Sequence, residues 1–149
     1  MRVLVVSDTH GSNVHLNRAM EEVGDFDFFM HLGDLEGSEH FIETFVDCPY
    51  AIISGNNDYF TDIDREREFE LEGHQIFMTH GNRYNIYDGV DCLREEGMKR
   101  NADIVLFGHT HCPYVEQAGA RIRPQAVCLQ TLSWTEPLWV LNHCTTGGV

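Results

Sequence analysis

Asp8, His10, Asp34, Asn56, His80, His109 and His111 carry donor atoms suited to metal ions, and they stand in five short motifs. The motifs are Asp8-Thr9-His10, Gly33-Asp34, Gly55-Asn56-Asn57-Asp58, Thr79-His80-Gly81 and Gly108-His109-Thr110-His111. Carboxylate, amide and imidazole donors in this mixture suit Mn, Fe, Zn, Ni or Co better than Mg or Ca, which prefer oxygen alone. Seven donors exceed the need of one tetrahedral ion and fit two ions that share a bridge. His109 and His111 lie two apart, so an extended segment would point both the same way, whereas in a loop each can serve a different ion. Any one motif says little. Asp-x-His is common, a histidine near a strand end is more often a packed or surface residue, and Gly-Asn or Gly-Asp in isolation is a turn. Five such motifs in order, each following an apolar strand, point jointly to a metal centre.

The elements that must position these motifs read as strands and helices in alternation. Arg2 to Ser7 is a continuous apolar run, as expected of a strand buried on both faces. Ser12 or Asn13 caps a helix with Val14, Leu16, Ala19, Met20 and Val23 inward, and Gly24 ends it. A strand over Asp27 to Leu32 follows, then a helix over Ser38 to Val46 with Phe41, Ile42 and Phe45 inward, and a strand over Pro49 to Ser54. Arg65 to Leu71 and Gln75 to Thr79 flank Glu72-Gly73 and read as a hairpin. Asp88 to Arg100 is a helix with Val90, Leu93 and Met98 inward, and Asp103 to Phe107 is a further buried strand. Such alternation implies a mostly parallel sheet covered by helices, and the later antiparallel pieces imply a second sheet stacked on it. In an open α/β sheet, ligands bind beside the carboxyl ends of the strands, where the five motifs fall.

This ordered set resembles the calcineurin-like metallophosphoesterase superfamily, in particular its small prokaryotic phosphodiesterase branch. The family order is Asp-x-His, Gly-Asp, Gly-Asn-x-Asp, His, Gly-His-x-His, and every element is present between Arg2 and Tyr114. The resemblance implies an α/β fold of two stacked mixed β-sheets flanked by helices, a four-layer sandwich. It further implies that Asp8, His10 and His111 hold one ion, that Asn56, His80 and His109 hold the other, and that Asp34 bridges them. Asp34, Asn56 and His109 are the expected catalytic residues. The implied reaction is hydrolysis of a small phosphate ester, most readily a diester, by a hydroxide shared between two divalent ions, Mn first, with Ni, Fe, Zn or Co as alternatives. Two cations would also neutralise the charge of the reorganising phosphate.

The chain departs from the family pattern in two places. Where larger catalytic members carry a histidine after Gly-Asn, this chain has Asn57, which has no proton to give a leaving group at ordinary pH. Good leaving groups, such as activated aryl esters, are therefore the expected substrates. Asp58 is expected to hold the loop. The second departure is residues 115–149, which are read with the rest as a single domain. They contain both tryptophans, but only Glu116 and Glu136 as acids and Arg121 and Arg123 as bases. The family's Asn-Pro-Gly-Ser is missing, and Pro124-Gln125-Ala126-Val127-Cys128-Leu129 stands instead. Suitable codons for that stretch read Pro-Gly-Ser-Leu-Ser after a one-nucleotide shift. Frameshift and ordinary divergence are equal alternatives, decided by sequencing the source DNA.

Composition narrows the field further. A formal net charge of −14 repels nucleic-acid backbones and anionic membranes, so neither is an expected partner. No apolar run approaches the roughly 20 residues that cross a bilayer, and the first apolar run is too short for a secretion signal, so a cytoplasmic protein is expected. Five scattered cysteines without Cys-x-x-Cys fit reduced thiols. The rival from another class is a protein-binding scaffold, such as the small retromer subunit, which keeps this fold. An intact set of seven ligands favours the enzyme. A metal store or sensor is a third reading, but this sequence offers no DNA-binding element or regulatory domain to serve it. Neither His-Glu-x-x-His nor Gly-x-Ser-x-Gly occurs. His31 is read as a packed strand histidine or a neighbour of the metal ligands, and His15, His40 and His74 as surface residues. Arg83, Tyr84 and Tyr87, like Tyr59 and Phe60, either line a substrate pocket or belong to solvated loops with packing aromatics.

Overall fold

The computed structural model describes residues 1–112, Tyr114, Glu116 and the backbone of 140–142. The first strand, β1 (Arg2–Val6), leads into helix α1 (Asn13–Val23), strand β2 (Phe28–His31), helix α2 (Glu39–Phe45) and strand β3 (Tyr50–Ile52). The hairpin β4 (Glu66–Leu71) and β5 (His74–Thr79), a 3₁₀ turn (Asn82–Tyr84), helix α3 (Asp91–Lys99) and strand β6 (Ile104–Leu106) follow. A last strand, β7 (Val140–Asn142), lies far along the chain. The remaining residues beyond 112, including Pro124 to Leu129, lie outside the described residues.

Two mixed sheets result. One has the order β3-β2-β1-β7, with β1–β2 and β2–β3 parallel and β1–β7 antiparallel. The other has the order β4-β5-β6, with β4–β5 antiparallel and β5–β6 parallel. Successive side chains of a strand point to opposite faces, so strands covered on both faces, such as β1, β2 and β6, are apolar along most of their length, whereas β4 alternates charged and apolar residues. Val3, Val5, Met30, Leu32, Ala51 and Ile53 meet Ile76, Met78 and Leu106 between the sheets. The intervening Leu4, Val6 and Phe29 pack outward on Leu16 of α1 and Ile42 of α2. Phe77 and Val105 pack outward on Leu93 of α3. The layers are thus helices, sheet, sheet, helix. Each fully buried Phe or Leu side chain stabilises this arrangement by roughly 1.5–3 kcal/mol.

The Glu72-Gly73 turn has both residues at positive φ, +52° and +78°, and Leu71 pairs with His74. That is the two-residue hairpin geometry matching the twist of the flanking strands. Three expectations for inward residues are corrected. Val14 is 76% exposed and Met98 44% exposed. Val14 lies two positions before Leu16 and Met98 five after Leu93, which at roughly 100° per residue turns both away from the buried stripe. Phe45 is 56% exposed, resting on Phe41 at 4.6 Å between centroids, while buried Val46 fills the inward position. Helix α3 also starts later than expected, because Gly89 takes positive φ (+129°) and breaks any helix through it. Among the described residues, no helix is long and apolar enough to cross a membrane, and Cys48, Cys92 and Cys112 are free thiols.

His31, at the end of β2, is fully buried. The Gly33 N–H donates to its Nδ1 at 3.3 Å, so its Nε2–H donates to Thr9 Oγ1 at 3.0 Å. It is both a packed strand histidine and a tie between the loops carrying Asp8 and Asp34. Burial, only partly opposed by Asp58, pushes its pKa down to about 3. Between pH 6.5 and 3 the unfolded chain therefore binds the proton more readily, and folding stability falls as pH falls through that window. The expected cost is on the order of 3–5 kcal/mol by pH 3. Urea unfolding of the metal-free protein against pH measures it. A His31→Gln variant should lose less stability across the window than the parent, and equal losses would contradict the assignment.

Candidate metal centre

Each proposed ligand emerges just beyond a strand end. Asp8 and His10 follow β1, Asp34 follows β2, Asn56 follows β3, His80 follows β5, and His109 and His111 follow β6. Asp8, His10, Asp34, His109 and His111 all take positive φ, from +47° to +77°. This conformation is uncommon for residues other than glycine, although Asp and His tolerate it better than most. Its recurrence in three loops marks backbone bent to aim side chains at one place. The loops are laced together: the Asp8 N–H donates to Gly33 O at 2.9 Å, the His10 N–H to Asp34 O at 3.0 Å, and the Gly108 N–H to His80 O at 3.1 Å.

The side chains converge as two overlapping groups. Asp8, His10 and His111 form one and Asp8, Asp34 and His80 the other, with the donor atoms of each group within 4.8 Å of one another. Asp8 Oδ1 lies 3.3 Å from His111 Nε2 and 3.8 Å from His80 Nε2. His10 and His111 bring their Nε2 atoms within 3.4 Å, and Asp34 Oδ2 is 3.5 Å from His80 Nε2. Asn56 Oδ1 joins the second group at 3.1 Å from His80 Nε2. His109 stands beside it, its ring 5.0 Å from that of His80, with its backbone N–H donating to Asp8 Oδ2 at 3.0 Å. Asp8 belongs to both groups by distance.

The chemistry of this cluster fits divalent cations. Asp8 and Asp34 are 4% and 1% exposed, and the ion pairs they make among the described residues are with histidines alone. Two buried carboxylates side by side need positive charge close at hand. Asp8 Oδ1 is buried without a hydrogen-bond donor, an open acceptor aimed at the imidazoles. Close approach is secured by glycine. A Cβ on Gly55 would lie 2.2 Å from Asp34 Oδ1, and one on Gly108 would lie 1.9 Å from Ser7 Oγ and 2.8 Å from Asp8 Oδ2.

The titratable groups respond to this crowding. Burial works against the charge of Asp34, but hydrogen bonds from His80 and Asn57 outweigh it and hold the carboxyl at about 2. Burial also opposes a charged His80, yet the Asp34 hydrogen bond, Asp8 and the Leu32 carbonyl raise its pKa. In the metal-free protein that proton answers the same carboxylates a cation would. His109 is pushed down, first by burial and then by neighbouring His80. His10 is raised, because hydrogen bonding to Glu36 overcomes desolvation.

Several bonds that hold the ligands in place carry no signal in the sequence. His80 Nδ1–H donates to Leu32 O at 2.7 Å, which aims Nε2 at the carboxylates. Asn57 donates to Asp34 twice, from its backbone N–H at 2.8 Å and its Nδ2 at 2.7 Å. Asp58 behaves as expected, bracing its loop by accepting from the Gly55 N–H at 2.8 Å and the Glu36 N–H at 2.7 Å. Tyr87 donates to His109 O at 3.1 Å and stays 68% exposed, while Tyr84 turns away to donate to Glu66 at 2.8 Å. Tyr59 and Phe60 are exposed, at 73% and 108%. His40 and His74 are exposed as expected, whereas His15 is partly buried and bonded to Ser12.

A four-layer α/β sandwich with buried carboxylates and imidazoles at its strand ends is the arrangement that the metallophosphoesterase class has. The chain belongs to the calcineurin-like phosphoesterase superfamily, whose domain model matches residues 1–142. It is 29% identical over 147 residues to a Bacillus subtilis protein named "Probable metallophosphoesterase YsnB", covering 95% of this chain and 84% of that one. Among solved structures, it is similar to an archaeal phosphodiesterase (TM-score 0.63, 21% identity, 87% of this chain and 82% of that chain). It is also similar to Entamoeba histolytica Vps29 complexed with Zn²⁺ (TM-score 0.67, 20% identity, 87% of this chain and 73% of that chain). Family membership implies divalent metal ions and phosphoester hydrolysis.

Proposed function

We propose that this chain hydrolyses small phosphodiesters with two divalent cations, its mixed oxygen and nitrogen donors suiting Mn, Fe, Zn, Ni or Co and the family resemblance putting Mn²⁺ first. The observation that carries the reading is the convergence of buried Asp8 and Asp34 with His10, His80 and His111 around an acceptor, Asp8 Oδ1, that has no donor. By family resemblance, Asp8, His10 and His111 would hold the first ion, Asn56, His80 and His109 the second, and Asp34 would serve both. When bound, such a pair supplies Lewis acidity and a water acidified enough to attack near neutral pH. It also explains how a chain of net charge −14 attracts an anionic ester. The protein residues hold this arrangement in place. Leu32 O orients His80, and Asn57 orients Asp34 from two donors.

The diester preference rests on the likeness to an archaeal phosphodiesterase, and the preference for good leaving groups rests on Asn57. Asn57 offers an amide N–H to an oxygen but no proton to a departing alkoxide, so the leaving group must depart unaided. Across a series of aryl phosphodiesters, log kcat is expected to fall steeply as the leaving-group pKa rises. A flat dependence would reveal an acid that this reading lacks. The scaffold alternative is disfavoured by the complete set of donors, although Vps29 shares the fold.

Turnover of bis-p-nitrophenyl phosphate by the purified protein with Mn²⁺, with and without chelator, tests the reading. Chelator-sensitive hydrolysis is expected. Absence of turnover with Mn²⁺, Ni²⁺, Co²⁺ or Fe²⁺, from folded and metal-loaded protein, would move the chain to the scaffold class.

A further inference from the structure

We propose that Glu36 is a positioning residue for one of the two ions, holding His10 in the tautomer and orientation that binds the ion shared with Asp8 and His111. The inference rests on the metal centre proposed above, but it is independent of the reaction carried out there. Glu36 Oε1 lies 2.6 Å from His10 Nδ1, and a carboxylate can only accept, so Nδ1 carries the proton. Nε2 is then left with its lone pair free. That atom is the one turned toward the site, 3.4 Å from His111 Nε2, with the two rings stacked at 5.3 Å and 19°. Imidazole ligands depend on such a partner at the other nitrogen, which fixes the tautomer and raises ligand basicity.

The placement of Glu36 is built into the loops. Its backbone sits at φ +47°, and its N–H donates to Asp58 Oδ1 at 2.7 Å, while Asp58 Oδ2 accepts from the Gly55 N–H at 2.8 Å. On the other side, the His10 N–H donates to Asp34 O and the Gly11 N–H to Leu35 O, each at 3.0 Å. The carboxylate is thereby presented to His10 by three interlocked loops. The effect is confined to one ion, because His80 has its own orienting acceptor, the carbonyl of Leu32 at 2.7 Å. The Glu36 and His10 side chains are 38% and 37% exposed, so water competes with the pairing and softens the loss of the carboxylate.

The test is a calorimetric titration of chelator-stripped protein with Mn²⁺, for the parent, Glu36→Gln and Glu36→Ala, with thermal unfolding of each metal-free form. In Glu36→Ala one of two stepwise affinities is expected to weaken by about 10- to 100-fold, nearer the lower end, while the other holds. Glu36→Gln keeps an accepting oxygen without its charge and should fall between, with unshifted melting temperatures throughout. The proposal is overturned if both affinities stay at the parent values, if both weaken alike, or if the parent binds no Mn²⁺ stoichiometrically. A parent that binds two ions in the Glu36-dependent manner yet hydrolyses no diester would sink the proposed reaction and leave this role standing.

Discussion

Asp34→Asn is expected to lower kcat on bis-p-nitrophenyl phosphate by at least about 10²–10³-fold, the scale set by removing a single electrostatic stabiliser from an active site. Asp34 is 1% exposed and faces His80 Nε2 at 3.5 Å, so its charge is felt with little solvent screening. Asparagine removes that charge and also replaces one acceptor by a donor. Asn57 donates to both oxygens of Asp34, so one of the two bonds becomes a donor facing a donor. Bound metal per chain, measured by elemental analysis, should fall alongside kcat. A variant that keeps activity within about tenfold of the parent would remove Asp34 from the catalytic centre, since such a loss is below that of one lost stabiliser.

The second large effect is expected from Gly55→Ala, a change of one methyl group. Gly55 does not adopt a left-handed φ, so alanine meets no conformational strain there. The obstacle is steric. The new Cβ would lie 2.2 Å from Asp34 Oδ1 and 2.5 Å from Asp34 N. The second of these is backbone and cannot swing aside. Overpacking at a buried position costs about 1–3 kcal/mol, and here the strain falls on Asp34, a buried carboxylate of the cluster with Asp8 and His80. The expected result is a lowered melting temperature together with loss of metal-dependent turnover. Gly55→Ala with parental activity and stability would mean that the loop after β3 is looser than its contacts indicate.

The legible part of the site was the part attached to buried strands. Arg2–Val6, Phe28–His31 and Ile104–Leu106 are apolar on both faces because each is covered by helices on one side and a second sheet on the other. Polar residues appearing abruptly at the ends of such runs stand out, as Asp8, Asp34 and His109 do. Glu36 left no comparable trace. It is one acid among 24, and its meeting with His10 depends on a left-handed turn that no spacing announces. The carbonyl of Leu32 is likewise invisible, because backbone acceptors have no residue type. Asn57 was legible as an absent acid, but its double hold on Asp34 required coordinates. Helix faces were read well where the stripe was regular, as with Leu16 and Ala19, and misread at Val14 and Met98, where an apolar residue sits off the stripe.

Two cations held by these seven residues would be seen by anomalous diffraction from crystals soaked in MnCl₂. Two peaks about 3.5–4 Å apart are expected, one against Asp8, His10 and His111, the other against Asn56, His80 and His109, with Asp34 between them. A single peak, or Mn²⁺ found only on surface carboxylates, would contradict it.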